Sequence, residues 1–266
     1  MSEERFDRGP TGGGRLAGRR AIVTGAAGGQ GEAVARRLVR EGAHVVITDQ
    51  AHDALEELQG SLVATRADTE VLAVPADVSD EPQVRGLVEA AVEALGGLDI
   101  VYNSAAVRLG GRDTTVDRLD REVWDRTLAV NLTGTYLVCK HTIPHLLRSS
   151  GGVIVNVSST AGIGGDAEAH AYGASKGGLI SLTLGIAQRF GPEGLRAIVL
   201  CPGLVDTPML QDALAGEALT QELVGTTALR RIGTPDEIAA YAAFLVSEEA
   251  RFVTGCVVRV DGGLVK

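Results

Sequence analysis

The stretch AIVTGAAGGQGEAVARRLVREGAHVVITD, residues 21–49, contains one full structural period of this 266-residue chain. It opens on a β-branched run, Ala21-Ile22-Val23, and turns through Thr24-Gly25-Ala26-Ala27-Gly28-Gly29-Gln30-Gly31. An amphipathic run of helical period follows, and a second apolar run, HVVITD, closes the unit. Strand, glycine turn, helix and strand in that order predict two parallel strands joined by a crossover. Gly25, Gly29 and Gly31 let the backbone turn tightly and approach a pyrophosphate, whose charge then sits at the helix N-terminus. Asp49 ends the second run twenty residues after Gly29, where a carboxylate accepts hydrogen bonds from both hydroxyls of an adenosine ribose. A 2′-phosphate there would meet like charge, and the neighbours Thr48 and Gln50 offer no cation to offset it. The cofactor expected is therefore NAD. Without a ligand, the same residues would make an ordinary strand-to-helix turn and a turn carboxylate.

Outward from this unit the rhythm repeats. Apolar runs recur at Val71–Val74, Leu98–Val101, Val153–Val157, Ala197–Leu200 and Val257–Val260, with helix-period stretches such as EAVARRLVREG and PQVRGLVEAAVEALGG between runs. The alternation predicts an α/β fold: a doubly wound parallel sheet of about seven strands with helices on both faces. No linker, repeat or second composition regime interrupts it, so residues 16–266 are expected to form one domain. Residues 1–15 are Gly- and charge-rich with little to bury, and read as a mobile tail.

Composition narrows the function. The chain is 45% hydrophobic but only 3% aromatic, with 35 glycines and a formal net charge of −9. Either a nucleic acid or an anionic membrane surface would demand a basic patch, and none is found. There is neither an apolar leader nor a run of eighteen apolar residues, and the three cysteines, Cys139, Cys201 and Cys256, are scattered in apolar runs. A cytoplasmic protein is expected, with a small-molecule partner and neither nucleic acid nor membrane. Asn131-Leu-Thr133 and Asn156-Val-Ser158 match the glycosylation pattern but lie inside apolar segments.

Lys176 is one of three lysines in a chain that carries twenty-two arginines. It follows Tyr172 by four residues, one helical turn, so the two side chains share a face. A phenol of ordinary pKa near 10 is a poor base unless positive charge stabilises its phenolate. Lys176 can supply that charge while its stem reaches a ribose hydroxyl. Ser159 stands at the end of the fifth apolar run, thirteen residues before Tyr172, in the crevice where open α/β sheets bind ligands. The intervening GIGGDAEAHA is expected to be a loop that folds back and joins the two hydroxyls.

These residues resemble the short-chain dehydrogenase/reductase family, whose fold is of the Rossmann type. Thr24-Gly-x-x-x-Gly-x-Gly31 is similar to its cofactor loop, and Ser159 with Tyr172-x-x-x-Lys176 to its catalytic core; the likeness runs from about residue 16 to 263. The resemblance implies hydride transfer between a nicotinamide and a carbinol or carbonyl carbon. In that reading Tyr172 is the general acid/base, Ser159 holds the reacting oxygen, and Lys176 lowers the tyrosine pKa and binds ribose. Asn131, in VNLTG, would hold a proton-relay water. It also implies adenine contacts from Asp77-Val78, and a nicotinamide cover from Pro202-Gly203-x-Val205-x-Thr207. The usual Asn-Asn-Ala-Gly after the fourth strand is here Asn103-Ser104-Ala105-Ala106, with Asn103 and Ala105 on the cofactor side and an added methyl at Ala106. Gln30 replaces the usual Ile, placing a polar side chain beside the pyrophosphate or the substrate cleft. A homotetramer is the family expectation.

Competing patterns are weaker. Gly173-Ala174-Ser175-Lys176-Gly177 matches a hydrolase nucleophile elbow, which needs a preceding strand and a later histidine, and no histidine follows His170. His141 and His145 stand four apart, but Pro144 intervenes and no acid accompanies them locally, so no metal site is expected. His170, Arg108, Leu109 and the segment 209–225, with Met209, Leu210, Leu214 and Leu219, either line the substrate pocket or serve packing and solvent. Asp166 and Glu168 hint at polar substrates. The reading is an NAD(H)-dependent dehydrogenase or reductase acting on a secondary alcohol or ketone. Its alternatives are an NADPH-linked 3-oxoacyl or polyketide-type ketoreductase and a non-catalytic dinucleotide-binding regulator.

Overall fold

In a computed structural model, which describes residues 14–149, 151–213 and 217–264, the seven apolar runs become seven strands. They are β1 (Arg20–Thr24), β2 (His44–Thr48), β3 (Val71–Ala73), β4 (Ile100–Asn103), β5 (Val153–Val157), β6 (Arg196–Pro202) and β7 (Val257–Val260). All pair in parallel, in the order β3-β2-β1-β4-β5-β6-β7. β4 ends two residues later than its apolar run, because Tyr102 and Asn103 stay in register with Val23 and Thr24 of β1.

The helices are α1 (Gly29–Arg40), α2 (His52–Thr65), α3 (Glu81–Leu95), α4 (Arg121–Leu128), α5 (Thr135–Leu146), α6 (Thr160–Gly164), α7 (His170–Phe190), α8 (Pro208–Ala213), α9 (Glu217–Gly225) and α10 (Pro235–Val246). Successive strand residues face opposite ways, and the core divides accordingly. Val23, Val45, Tyr102 and Val155 pack with Val34 and Leu38 of α1, Leu55 of α2 and Ile238 of α10. Ile22, Val46, Val101 and Ile154 pack with Leu87 of α3, Val138 of α5 and Ile186 of α7. Helices thus cover both faces of the sheet.

The loop expected between Ser159 and Tyr172 contains α6, which Ser159 caps by accepting from the Ala161 N–H at 3.1 Å. Of the expected tail, residues 1–13 lie outside the described residues, as does Leu214. Arg15, at the tail's end, is anchored by its guanidinium to Glu41 at 2.7 Å. Among the described residues no helix is long and apolar enough to cross a membrane.

Candidate active site

The chain runs outward from β1 to β3 and returns at β4, so helices leave the carboxyl ends of β1 and β4 on opposite sides and a crevice opens between those ends. A cleft of about 390 Å³ occupies it. Gly25, Gly29, Gln30, Asp49, Val78, Ala105, Pro202, Gly203 and Thr207 line it, with Ser159, Tyr172 and Lys176. Two glycines are obligatory there. Gly25 has φ +67°, and a Cβ on it would stand 2.7 Å from the backbone of Ala105; one on Gly31 would overlap the Gly25 carbonyl oxygen. Thr24 ties the two strand ends together, its hydroxyl accepting from the N–H groups of Ser104 and Ala105 at 3.1 and 3.2 Å.

Asp49 faces this cleft from the end of β2. One oxygen accepts from the Ala27 N–H at 3.1 Å; the other accepts from Gln50 and Ala51 at 2.7 and 3.2 Å. The carboxylate therefore holds the glycine loop in shape and lies at the cleft wall. Gln30 Oε1 is buried with no hydrogen-bond partner within the protein, which leaves this acceptor free for a donor from water or a ligand. An amide-accessible glycine loop, a wall carboxylate and an orphaned acceptor suit a dinucleotide.

At the inner end, α7 carries Tyr172 and Lys176 on one face. The Ser159 side chain favours the ionised form of the Tyr172 phenol, and Lys176 Nζ lies 5.6 Å from the Tyr172 ring centroid while donating to the Val157 carbonyl at 2.8 Å. Lys176 is 2% exposed, and burial pushes its pKa down to about 8. Burial pushes the Tyr172 phenol up, against the lowering effects of the Ser159 side chain and the Arg108 charge. Desolvation thus outweighs the contacts that favour ionisation, and the phenol is pushed up where the Tyr–Lys spacing implies a lowered value.

Other expected residues lie behind the cleft wall. Asn131, in a π-helical turn at Ala129–Gly134, spends its amide on Val107, accepting from its N–H at 2.8 Å and donating to its carbonyl at 3.0 Å, and donates also to Ser175 at 3.1 Å. Asn103 donates to Asn156 at 2.8 Å beneath the site. Gly31 underlies the loop, Val205 bridges to Gly233, and Asp77 accepts from the Ser79 backbone and hydroxyl at 2.8 and 2.6 Å. His170 is not among the residues lining this cleft; its Nδ1 accepts from the Val116 N–H at 2.8 Å. His141 meets an acid after all, Glu81 at 3.0 Å, supplied by α3.

Arg126 and Asp113 escaped the sequence reading, which leaves Arg108 open between pocket and packing. Arg126 lines the cleft from α4, 3.6 Å from Asp77. Arg108 lies over the Tyr172 ring. Asp113, 5% exposed, accepts from the N–H groups of Ala171 and Tyr172 at 3.0 and 2.8 Å and so caps α7. No local signal marks Asp113, because its partners are 58 and 59 residues away.

Residues 25–265 match the family described as enoyl-(acyl carrier protein) reductase. Meso-2,3-butanediol dehydrogenase of Serratia marcescens is 38% identical over 244 residues, covering 91% of this chain and 92% of that protein. The crystal structure of levodione reductase superposes with TM-score 0.89 at 33% identity, over 94% of this chain and 98% of that one. A short-chain dehydrogenase of Burkholderia cenocepacia, solved in complex with NADP, gives 0.86 at 33%, again over 94% and 98%. Sheet order, glycine loop, Tyr–Lys helix and these likenesses agree, and the chain belongs to the short-chain dehydrogenase/reductase family of oxidoreductases, which bind a nicotinamide dinucleotide.

Proposed function

We propose that this protein is an NAD(H)-dependent dehydrogenase acting on a secondary alcohol or its ketone, with Tyr172 as general acid/base. The observation that carries this reading is the meeting of Ser159, Tyr172 and Lys176 in the same cleft as the glycine loop and Asp49. Bound nicotinamide supplies the hydride acceptor or donor. In oxidation, Ser159 Oγ holds the substrate oxygen and Tyr172 takes its proton; in reduction, the same phenol returns it. Lys176, fixed by the Val157 carbonyl, binds ribose and faces the phenol. Gly25, Gly29 and Gly31 seat the pyrophosphate, Asp49 the adenosine ribose, Asp77 and Val78 the adenine, and Gln30 offers its free acceptor to the cofactor. Asn103 and Ala105 support the cofactor side, and Pro202, Gly203, Val205 and Thr207 the nicotinamide side. Asn131 acts through Val107 and the π-helical turn. Positioned acid/base help of this kind contributes roughly 10²- to 10⁴-fold.

A second reading, an NADPH-linked ketoreductase, is supported by the NADP bound to the Burkholderia relative and by the acyl-carrier description of the matched family. Asp49 weighs against it, since no cation adjoins it in sequence. A cytoplasmic homotetramer completes the proposal; the free thiols of Cys139, Cys201 and Cys256 suit a reducing compartment.

The test is a fluorescence titration with NADH and NADPH, followed by turnover of a secondary-alcohol panel by wild type and Tyr172→Phe. Tighter NADH binding is expected, with turnover lost in the variant and NADH affinity kept. Tighter NADPH binding overturns the NAD reading, and a variant that keeps its rate overturns Tyr172 as the acid/base.

A further inference from the structure

We infer that Arg108, held by Asp166, is a positioning residue for Tyr172, supplying the permanent positive charge against which its phenolate forms. The inference rests on Tyr172 being the proton-transfer group. Arg108 sits just beyond β4, and its guanidinium carbon lies 5.7 Å from the Tyr172 ring centroid, as close as Lys176 on the other count, at 5.6 Å. Both fall within the range of a cation–π contact.

The two cations differ in kind. Lys176 is buried, committed to the Val157 carbonyl, and loses its proton near pH 8, whereas burial pushes the phenol up, so the lysine charge is lost before the phenolate forms. A guanidinium does not deprotonate under conditions in which proteins fold. Arg108 brings such a group to the Tyr172 ring. Its place is set by Asp166, whose Oδ2 stands 3.4 Å from Nη2. The other Asp166 oxygen accepts from the N–H groups of Glu168 and Ala169, both at 3.1 Å, so the carboxylate is itself anchored to the segment that enters α7. Asp166 also opposes the phenolate by like charge.

The remaining groups that face Tyr172 are accounted for. Ser159, just beyond the end of β5, favours the ionised phenol. Cys201, from β6, is buried and its thiol pushed up, chiefly by burial. Asp113 is spent on the backbone N–H groups of Ala171 and Tyr172, and the His170 ring is turned to Val116. Arg108 and Asp166 are thus an oppositely charged pair acting on one phenol from outside the proposed catalytic set.

This arrangement demands shifts of opposite sign. Oxidation needs Tyr172 ionised, so its rate falls as pH drops through the phenol's titration. Arg108→Gln removes a stabilising charge and moves that limb to higher pH. Asp166→Asn removes a destabilising charge, keeps an acceptor for Glu168 and Ala169, and moves the limb to lower pH. Arg108→Lys restores a cation and returns the limb toward wild type. Below the limb, Arg108→Gln should turn over roughly three- to tenfold more slowly, the scale of a unit charge about 6 Å away in a partly screened site.

The experiment measures kcat against pH for the full-length protein and these three variants, with the best secondary alcohol from the panel. Alkaline tyrosinate absorbance, taken as the difference from Tyr172→Phe, reads the same titration without turnover. Opposite displacements for Arg108→Gln and Asp166→Asn, with rescue by Arg108→Lys, are expected; unmoved limbs, or displacement of both variants in one direction, overturn the inference. Tyr172→Phe separates this result from the parent reading. If that variant turns over normally, Tyr172 is not the acid/base; if it is inactive and the limbs stay put, Arg108 alone has been misassigned.

Discussion

Why position 176 is a lysine in an arginine-rich chain has a geometric answer: its slot is 2% exposed and ends on a single carbonyl, that of Val157. A compact ammonium on an unbranched stem fits such a place, and a planar five-donor fork does not. Burying it has a cost that pH reveals. Below pH 8 the folded and unfolded chains both hold this proton, and the cost of the buried charge is felt in full. Between pH 8 and the ordinary lysine value of 10.5, only the unfolded chain holds it, so stability rises with pH. Chemical denaturation of the cofactor-free protein at pH 8 and pH 10 should show wild type gaining about 2 kcal/mol relative to Lys176→Met, since one pKa unit corresponds to about 1.4 kcal/mol. Asp49 invites a second residue-level test. Asp49→Ala removes hydrogen bonds to a charged acceptor, each worth about 1.5–3 kcal/mol. NADH affinity should therefore fall about tenfold or more, and the gap from NADPH should narrow in paired titrations. Lys176, Tyr172, Ser159 and Asp49 were legible in the sequence because each lies at a fixed offset from a strand end or on one helical turn. Arg108 was ambiguous because a loop residue has no such offset.

At the scale of elements, α7 is the one on which the proposed chemistry depends, and its start is not encoded locally. Ala169 precedes it and provides no side-chain cap, leaving the first N–H groups to be satisfied from elsewhere. Asp113 does so, and the His170 ring bonded to Val116 fastens the same loop to the same helix end. Asp113→Ala should cost about 1–2 kcal/mol in denaturant unfolding, the scale of a lost N-cap. It should also lower kcat more than NADH affinity, because Asp113 holds the Tyr172 N–H itself whereas Lys176 is anchored one turn on by the Val157 carbonyl. The glycine loop, by contrast, was readable in place from its spacing. Gly31→Ala should abolish NADH binding in the same titration, since its methyl group would overlap the Gly25 carbonyl.

For the molecule as a whole, parallel order β3-β2-β1-β4-β5-β6-β7 opens one crevice and leaves β7 as an edge strand. Phe252, five residues before β7, is fully exposed, and Val257 in β7 and Tyr241 on α10 are each 37% exposed. Unpaired edges and exposed aromatic surface favour burial against another chain, which supports the proposed homotetramer. Light scattering should then give about four times the 27.6 kDa chain mass, and a monomer would refute that assembly. Strand and helix runs, the α/β class, the glycine loop and the Tyr–Lys pair were determined by the sequence alone, because each depends on a period or offset of at most a few turns along the chain. The Asp113 cap, the two-cation flank of Tyr172, its upward rather than downward pKa and the diversion of Asn103 and Asn131 into internal hydrogen bonds were decided only in three dimensions. Each depends on which distant groups share one desolvated space, and burial and Coulomb interactions are fixed by separation through space, on which spacing along the chain is silent.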